Sequence, residues 1–204
     1  MLLCRGTYLI YDKNEGFLYF EKGYYMSIQI FILSKLMEEN NYPYKLKKQI
    51  SEPLPLDQIG RITESKLYYH FESLSKQGLV RVVKTIEEEK RPDKQVYEIT
   101  EKGRLELPKK IYKLFENAKT IKEMVLGIAT LKYVNRNKVV EILEDKLATI
   151  KQIQNTFMEF ENHQIANQEK ENYVEFLENY FTESFNMNIY WLEELIHRIK
   201  RGDI

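Results

Sequence analysis

The chain has 204 residues, of which 43% are hydrophobic, and its 31 basic side chains balance 31 acidic ones. That content is enough to bury a proper core without staples; the single cysteine, Cys4, excludes an internal disulfide, and no paired Cys or His spacing suits a metal. No apolar run reaches the roughly 18 to 20 residues that cross a bilayer and the first residues lack a signal peptide's layout, so the chain reads as cytoplasmic.

Residues 1–25 are rich in Tyr, Phe and Gly without a sustained period, and two readings of this leader stand side by side. Lys22-Gly23 must be encoded by a purine run ending in GG just upstream of Met26, where a ribosome-binding sequence would lie, which makes Met26 the start. Alternation around Tyr8 to Tyr11 and Phe17 to Phe20 instead makes the leader a hairpin packed on the body.

A first helix is predicted from Ser27, as cap, to Glu39, with Ile28, Phe31, Ile32 and Leu36 on one face. A second, short helix follows Pro43 and carries Tyr44, Leu46, Lys47 and Ile50, before a loop from Ser51 to Leu56 with two prolines. Thr63 then caps a third helix over Glu64 to Gln77, whose buried stripe is Leu67, Phe71 and Leu74, with Tyr68 assigned to the core. Ser65, Lys66, Tyr69, His70 and Ser73 fall on its other faces, and Gly78 supplies a left-handed end. Two alternating strands follow, Leu79 to Ile86 and Gln95 to Thr100, joined by the charged stretch Glu87 to Lys94, which has nothing apolar to bury and should project as a hairpin tip. Three helices and a hairpin are the winged-helix order. Thr100 caps a fourth helix running through Leu105, Ile111, Leu114 and Phe115, weakened early by Gly103 and Pro108.

Beyond Ala118 the pattern is almost wholly helical, with helices over Lys119 to Val134, Asn137 to about Gln168, and Asn172 to about Arg201. Val140, Leu143 and Leu147 in the second of these, and Tyr173, Leu177, Tyr180, Met187 and Trp191 in the third, follow the near-heptad spacing of a coiled coil. Phe160, Phe176, Phe181 and Leu195 lie on extra faces, which suggests burial against a second copy of the chain; the alternative is an intramolecular three-helix bundle. The fold class is thus mainly α with a small β-hairpin wing. Residues 1–25 form the leader, 26–118 a winged-helix DNA-binding domain and 119–204 a helical dimerisation domain.

Charge divides along the same boundary. From Met26 to Ala118 there are 17 basic against 14 acidic side chains, and from Lys119 to Ile204 there are 11 against 14, which places the positive excess where phosphate would be met. A helix in the major groove reads base edges from its N-terminal end, where the backbone also favours phosphate. Thr63, Ser65, Lys66, Tyr69 and His70 occupy that end, and Lys66 and Ser65 are the strongest candidates. Arg91 and Lys94 on the hairpin suit the minor groove or adjacent phosphates, and Lys47, Lys48 and Lys76 suit the backbone. A two-fold dimer would place two such helices in grooves about 34 Å apart, on a pseudo-palindromic site.

Rivals come from other classes. His70, His163 and His197 are scattered, and no Gly-rich phosphate loop, nucleophile motif or metal spacing is present, so neither catalysis nor a cofactor is expected. The stronger alternative is a protein-protein interaction module on a winged-helix scaffold without DNA binding, which the acidic run Glu87-Glu88-Glu89 favours. Tyr190, Trp191 and Phe185 serve either the core or a ligand pocket between the wing domain and the tail.

The segment Ile32-Leu33-Ser34-Lys35-Leu36, followed by Tyr42-Pro43-Tyr44-Lys45-Leu46 and Ile50, resembles the opening of the PadR family, with Pro43 where glycine is usual. Ser65-Lys66-Leu67-Tyr68-Tyr69-His70-Phe71, with Leu74 and Gly78-Leu79-Val80, is similar to that family's recognition helix, although Tyr69 stands where proline is typical. Arg91 to Gly103 resembles its wing and exit, and Trp191-Leu192-Glu193-Glu194-Leu195 its longer form with an α-helical C-terminal domain. The resemblance implies a homodimeric repressor of operator DNA, released by an inducer or another signal. It names no inducer and, with Pro43 and Tyr69 departing from the pattern, no operator sequence.

Overall fold

The computed structural model describes residues 7–12, 16–50, 63–88, 91–164 and 172–204. An antiparallel hairpin of β1 (Thr7–Asp12) and β2 (Gly16–Glu21) opens the chain, with Tyr8 opposite Phe20 and Tyr11 opposite Phe17. It runs directly into α1 (Lys22–Glu38), so the helix starts upstream of Met26, and Ser27 lies buried inside it instead of capping it. The expectation of a one-faced amphipathic helix also needs correction. Ile28, Ile30, Phe31, Ile32 and Leu33 are all buried, because α1 is wrapped on several sides and a helix in that position is apolar all round.

After α1 the chain passes Asn41 and enters α2 (Pro43–Ile50), which buries Leu46. Next comes α3 (Glu64–Lys76), where the Thr63 hydroxyl accepts the Lys66 N–H at 3.3 Å, as the sequence suggests. Leu67, His70, Phe71 and Leu74 form its buried stripe, and Gly78 ends the segment at φ +70°, a conformation that costs glycine nothing. The loop from Ser51 to Leu56 lies outside the described residues.

The wing consists of β3 (Val80–Glu88) and β4 (Arg91–Ile99), antiparallel, with register shifts between Val82 and Lys84 and between Ile86 and Glu88. Most of the stretch expected to be a free tip is therefore ladder: Ile86 faces Lys94 and Glu88 faces Arg91. Asn41 extends the sheet, exchanging two backbone hydrogen bonds with Tyr97 at 3.0 and 2.8 Å. That exchange ties the α1–α2 turn to the wing.

The wing exits into α4 (Glu101–Asn117), where the Thr100 hydroxyl accepts the Gly103 N–H at 3.1 Å. Gly103 is required by close approach: a Cβ there would lie 2.1 Å from the Leu79 carbonyl oxygen, which itself accepts the Thr100 N–H. The buried stripe of α4 is Gly103, Leu107, Ile111, Leu114 and Phe115, whereas Leu105, expected within it, is 64% exposed.

Lys119 to Val134 is not one helix. It divides into α5 (Ile121–Ile128), a turn, and a 3-10 turn over Leu131–Tyr133. The break falls where the Thr130 hydroxyl folds back to the Leu126 carbonyl at 2.8 Å and Gly127 sits against the Phe115 ring. Two long helices follow, α6 (Arg136–Gln164) and α7 (Asn172–Arg201), close to the sequence bounds. They run antiparallel, joined by Lys200 to Glu144 (2.6 Å), Lys151 to Glu193 (2.7 Å) and Gln154 to Asn186 (2.9 Å).

A single buried cluster runs from α1 through α3, the wing and α4 into the bases of α6 and α7. Val140 and Leu143, expected at a dimer interface, belong to this core and are corrected accordingly: at the start of α6 they are buried within the same chain. Leu147 packs half-buried against its edge.

Candidate nucleic-acid interface

The N-terminal end of α3 brings Thr63, Ser65, Lys66 and Tyr69 together, all half-buried. Thr63 satisfies the Lys66 N–H, while the remaining first-turn N–H groups keep the positive end of the helix dipole at that surface. Ser65 and Tyr69 lie one turn apart on the side away from the Leu67–Phe71–Leu74 stripe.

His70 does not belong to this surface. It is 0% exposed, three residues from Leu67 and therefore on the buried stripe, with its ring set edge-on to Tyr69 at 5.5 Å. Burial, with a smaller contribution from the Lys66 charge, pushes its imidazole down to about 3, so it is neutral throughout the physiological range. A buried neutral imidazole makes no DNA contact, and His70 leaves the candidate set.

Tyr68 moves the other way. Expected in the core, it is 46% exposed, because Leu67 and Phe71 take the core direction and position 68 points about 100° round the helix from Leu67. The signal was in the sequence: position 68 breaks the four-three spacing of Leu67, Phe71 and Leu74.

The lysines divide by setting. Lys48 on α2 is exposed, with its ammonium 5.0 Å from the Tyr44 ring centroid, and Lys47 beside it is half-buried. Lys94 on β4 lies 5.7 Å from the Tyr42 ring centroid, a cation–π arrangement between wing and α2 entry. Lys76 stands at the far end of α3, paired with Glu72 at 2.6 Å, roughly 18 Å along the axis from the reading end. Arg91 is placed on β4 opposite Glu88, and its side chain lies outside the described residues. Tyr42 is a functional candidate that sequence reasoning missed, since nothing in local spacing joins it to Lys94 on the wing, and Tyr44 beside Lys48 is another.

Of the α7 side chains expected to meet a second copy, Leu195 is instead buried in the chain's own core, and Phe181 meets Phe157 of α6 with ring centroids 5.7 Å apart. Tyr173, Leu177, Tyr180, Met187 and Trp191 are exposed, together with Phe176, Phe181 and Tyr190. Tyr190 and Trp191 touch edge to face at 5.2 Å and are 60% and 50% exposed, so they form neither core nor an enclosed pocket. Among the described residues no group of His, Cys, Asp or Glu could hold a metal, and no helix is long and apolar enough to cross a membrane.

Residues 32–109 match the family model of the transcriptional regulator PadR-like family. This stretch is similar to that family's domain. Its bounds run from the middle of α1 to the middle of α4 and so take in α2, α3 and the wing. No curated protein matches the chain. Among solved structures, Bacillus subtilis PadR in complex with operator DNA is 17% identical, over 84% of this chain and 98% of that one, with a TM-score of 0.34. The same protein in complex with p-coumaric acid is 16% identical, over 86% and 97%, also at 0.34. The protein smu.1604c from Streptococcus mutans is 19% identical, over 81% and 96%, at 0.35.

Proposed function

We propose that this chain is a sequence-specific DNA-binding repressor that acts as a homodimer on a pseudo-palindromic operator. The observation that carries the reading is the PadR-like match spanning the elements that present α3 and the wing. Ser65 and Lys66 at the start of α3 contact bases or phosphate, Thr63 and Tyr69 border them, and Lys94, Arg91, Lys47 and Lys48 engage the backbone. Lys76, already paired and distant, contributes least. Residues 26–118 form the DNA-binding unit and 119–204 the dimerisation unit. The exposed α7 aromatics support that division, because large apolar side chains at this density gain roughly 1.5 to 3 kcal/mol each when a second copy covers them.

The test is a gel-shift titration of purified protein against the DNA upstream of its own coding region and against a random-sequence duplex pool, with salt varied. If a dimer neutralises about 6 to 10 phosphates, affinity falls about 10³ to 10⁵-fold between 50 and 200 mM salt. Lys66→Ala weakens binding and relaxes base preference. A flat salt response, or no enriched sequence from the pool, would sink the reading.

A further inference from the structure

We propose that Tyr42, at the entry to α2, is the positioning residue for Lys94 on the wing: its ring holds the lysine ammonium ready for a DNA phosphate and so fixes where the wing meets the backbone. This inference rests on the DNA-binding reading above and gives a role to a residue that no spacing in the sequence marks. The Lys94 ammonium stands 5.7 Å from the Tyr42 ring centroid, within cation–π range, and the pair joins β4 to α2.

The strand register brings the two side chains to one side of the sheet. Asn41 exchanges its backbone hydrogen bonds with Tyr97, and side chains alternate between faces, so Tyr42 and Lys94 both fall on the face away from that of Asn41 and Tyr97. The ring also has a rigid mount. Tyr42 precedes Pro43, which confines its backbone to the extended region. Its N–H donates to Asn41 Oδ1 at 3.1 Å, and its carbonyl accepts the Lys45 and Leu46 N–H groups at 3.1 and 3.2 Å. It is thus pinned between two buried residues, Asn41 and Leu46.

A ring acts on a lysine differently from a carboxylate. Lys45 gives its charge to Glu39 at 2.7 Å and Lys76 gives its charge to Glu72 at 2.6 Å, so a phosphate must compete with each partner. An aromatic face attracts the ammonium without neutralising it, and the N–H donors stay available to phosphate oxygens. Lysine has much rotamer freedom to lose on meeting a phosphate, and a side chain already held over a ring loses less of it, which raises affinity through preorganisation. Lys48 also stands over a ring, that of Tyr44 at 5.0 Å, but both lie on α2, so that pair fixes nothing about the wing. A phosphate contact carries no base information, and the Tyr42–Lys94 pair therefore sets affinity and the placement of the wing, not sequence preference.

The experiment uses the full chain as wild type, Tyr42→Phe, Tyr42→Leu, Lys94→Gln and the variant carrying both Tyr42→Leu and Lys94→Gln. Each is put through enrichment from a random-sequence duplex pool, and affinity is then measured by fluorescence anisotropy on the duplex the wild type enriches, at several salt concentrations. Lys94→Gln is expected to weaken binding and to lower the salt slope by about one per half-site. Tyr42→Leu should bind about two- to fivefold more weakly per half-site with an unchanged motif, while Tyr42→Phe, which keeps the ring, should bind as the wild type does. In the Lys94→Gln background Tyr42→Leu should cost nothing further, whereas a ring needed only for packing would cost the same with or without the lysine. Phenylalanines with increasing numbers of ring fluorines at position 42 keep the shape and the fold, and affinity should fall stepwise as the ring face loses its negative charge. A flat fluorine series, an unchanged salt slope for Lys94→Gln, or a Tyr42→Leu loss that persists without Lys94 overturns the proposal and leaves the DNA-binding reading intact. A wild type that enriches no motif overturns both.

Discussion

His70 shows how one position on a helix changes the meaning of a side chain. A histidine in a recognition helix suggests a base contact, yet its place on the stripe with Leu67, Phe71 and Leu74 buries it completely. The consequence is a pH dependence of stability. With the native imidazole held at about 3 against an ordinary value of 6.5, the unfolded chain takes up a proton between those limits and the folded chain does not. Stability is therefore full above pH 6.5 and falls as pH drops toward 3, at up to about 1.4 kcal/mol per pH unit from this group. Chemical denaturation of the wild type and of His70→Leu at pH 7.5 and 5.0 measures it: the wild type should lose more on acidification than the variant, and equal losses would remove His70 as the cause. Tyr68 carries the same lesson with the opposite sign, since the break in stripe spacing at position 68 was readable and leaves it exposed.

The junction of wing and α4 depends on two side-chain choices that local chemistry explains. Thr100 was recognisable as a cap from sequence, because a threonine followed by charged first-turn residues satisfies an otherwise orphaned N–H. Thr100→Ala should cost about 1 kcal/mol. Gly103 looked like a weakness in the helix and is instead a fitted contact, since any Cβ there would collide with the Leu79 carbonyl. Gly103→Ala should therefore destabilise by about 1–3 kcal/mol or more, against the gain of up to about 1 kcal/mol expected from helix propensity alone. Thermal unfolding of the two variants decides it, and a stabilised Gly103→Ala would show that the junction opens easily. The break between α5 and the 3-10 turn was hidden for a related reason: Thr130 reads as an ordinary helical residue until its hydroxyl is seen bonded to Leu126 and Gly127.

Across the whole molecule, the near-heptad positions in the tail separate into two groups with different jobs. Val140 and Leu143 close the core of their own chain, whereas Tyr173, Leu177, Tyr180, Met187 and Trp191 remain on the exposed face of α7. If that face is the dimer contact, Tyr180→Ala with Trp191→Ala should shift the protein from dimer to monomer in sedimentation equilibrium at micromolar concentration. DNA affinity should fall with it by at least tenfold, because a monomer engages only one half-site. Folding should be retained, since neither residue contributes to the buried cluster. A double variant that stays dimeric would move the contact to another surface.

Periodicity, capping and charge placement are local properties, and they were sufficient to order the helices, the wing and the two long tail helices along the chain, and to mark Thr63, Ser65 and Lys66 at the start of α3. Burial is a property of what lies opposite. No local pattern could tell that α1 is surrounded, that the ends of the charged connection pair as ladder, or that Lys94 rests over Tyr42 across the gap between wing and α2. Those outcomes depend on distant segments meeting in space, and the same spacing in α6 and α7 yields core at Leu143 and exposed surface at Trp191 because the one lies within the buried cluster and, among the described residues, the other stays half-exposed.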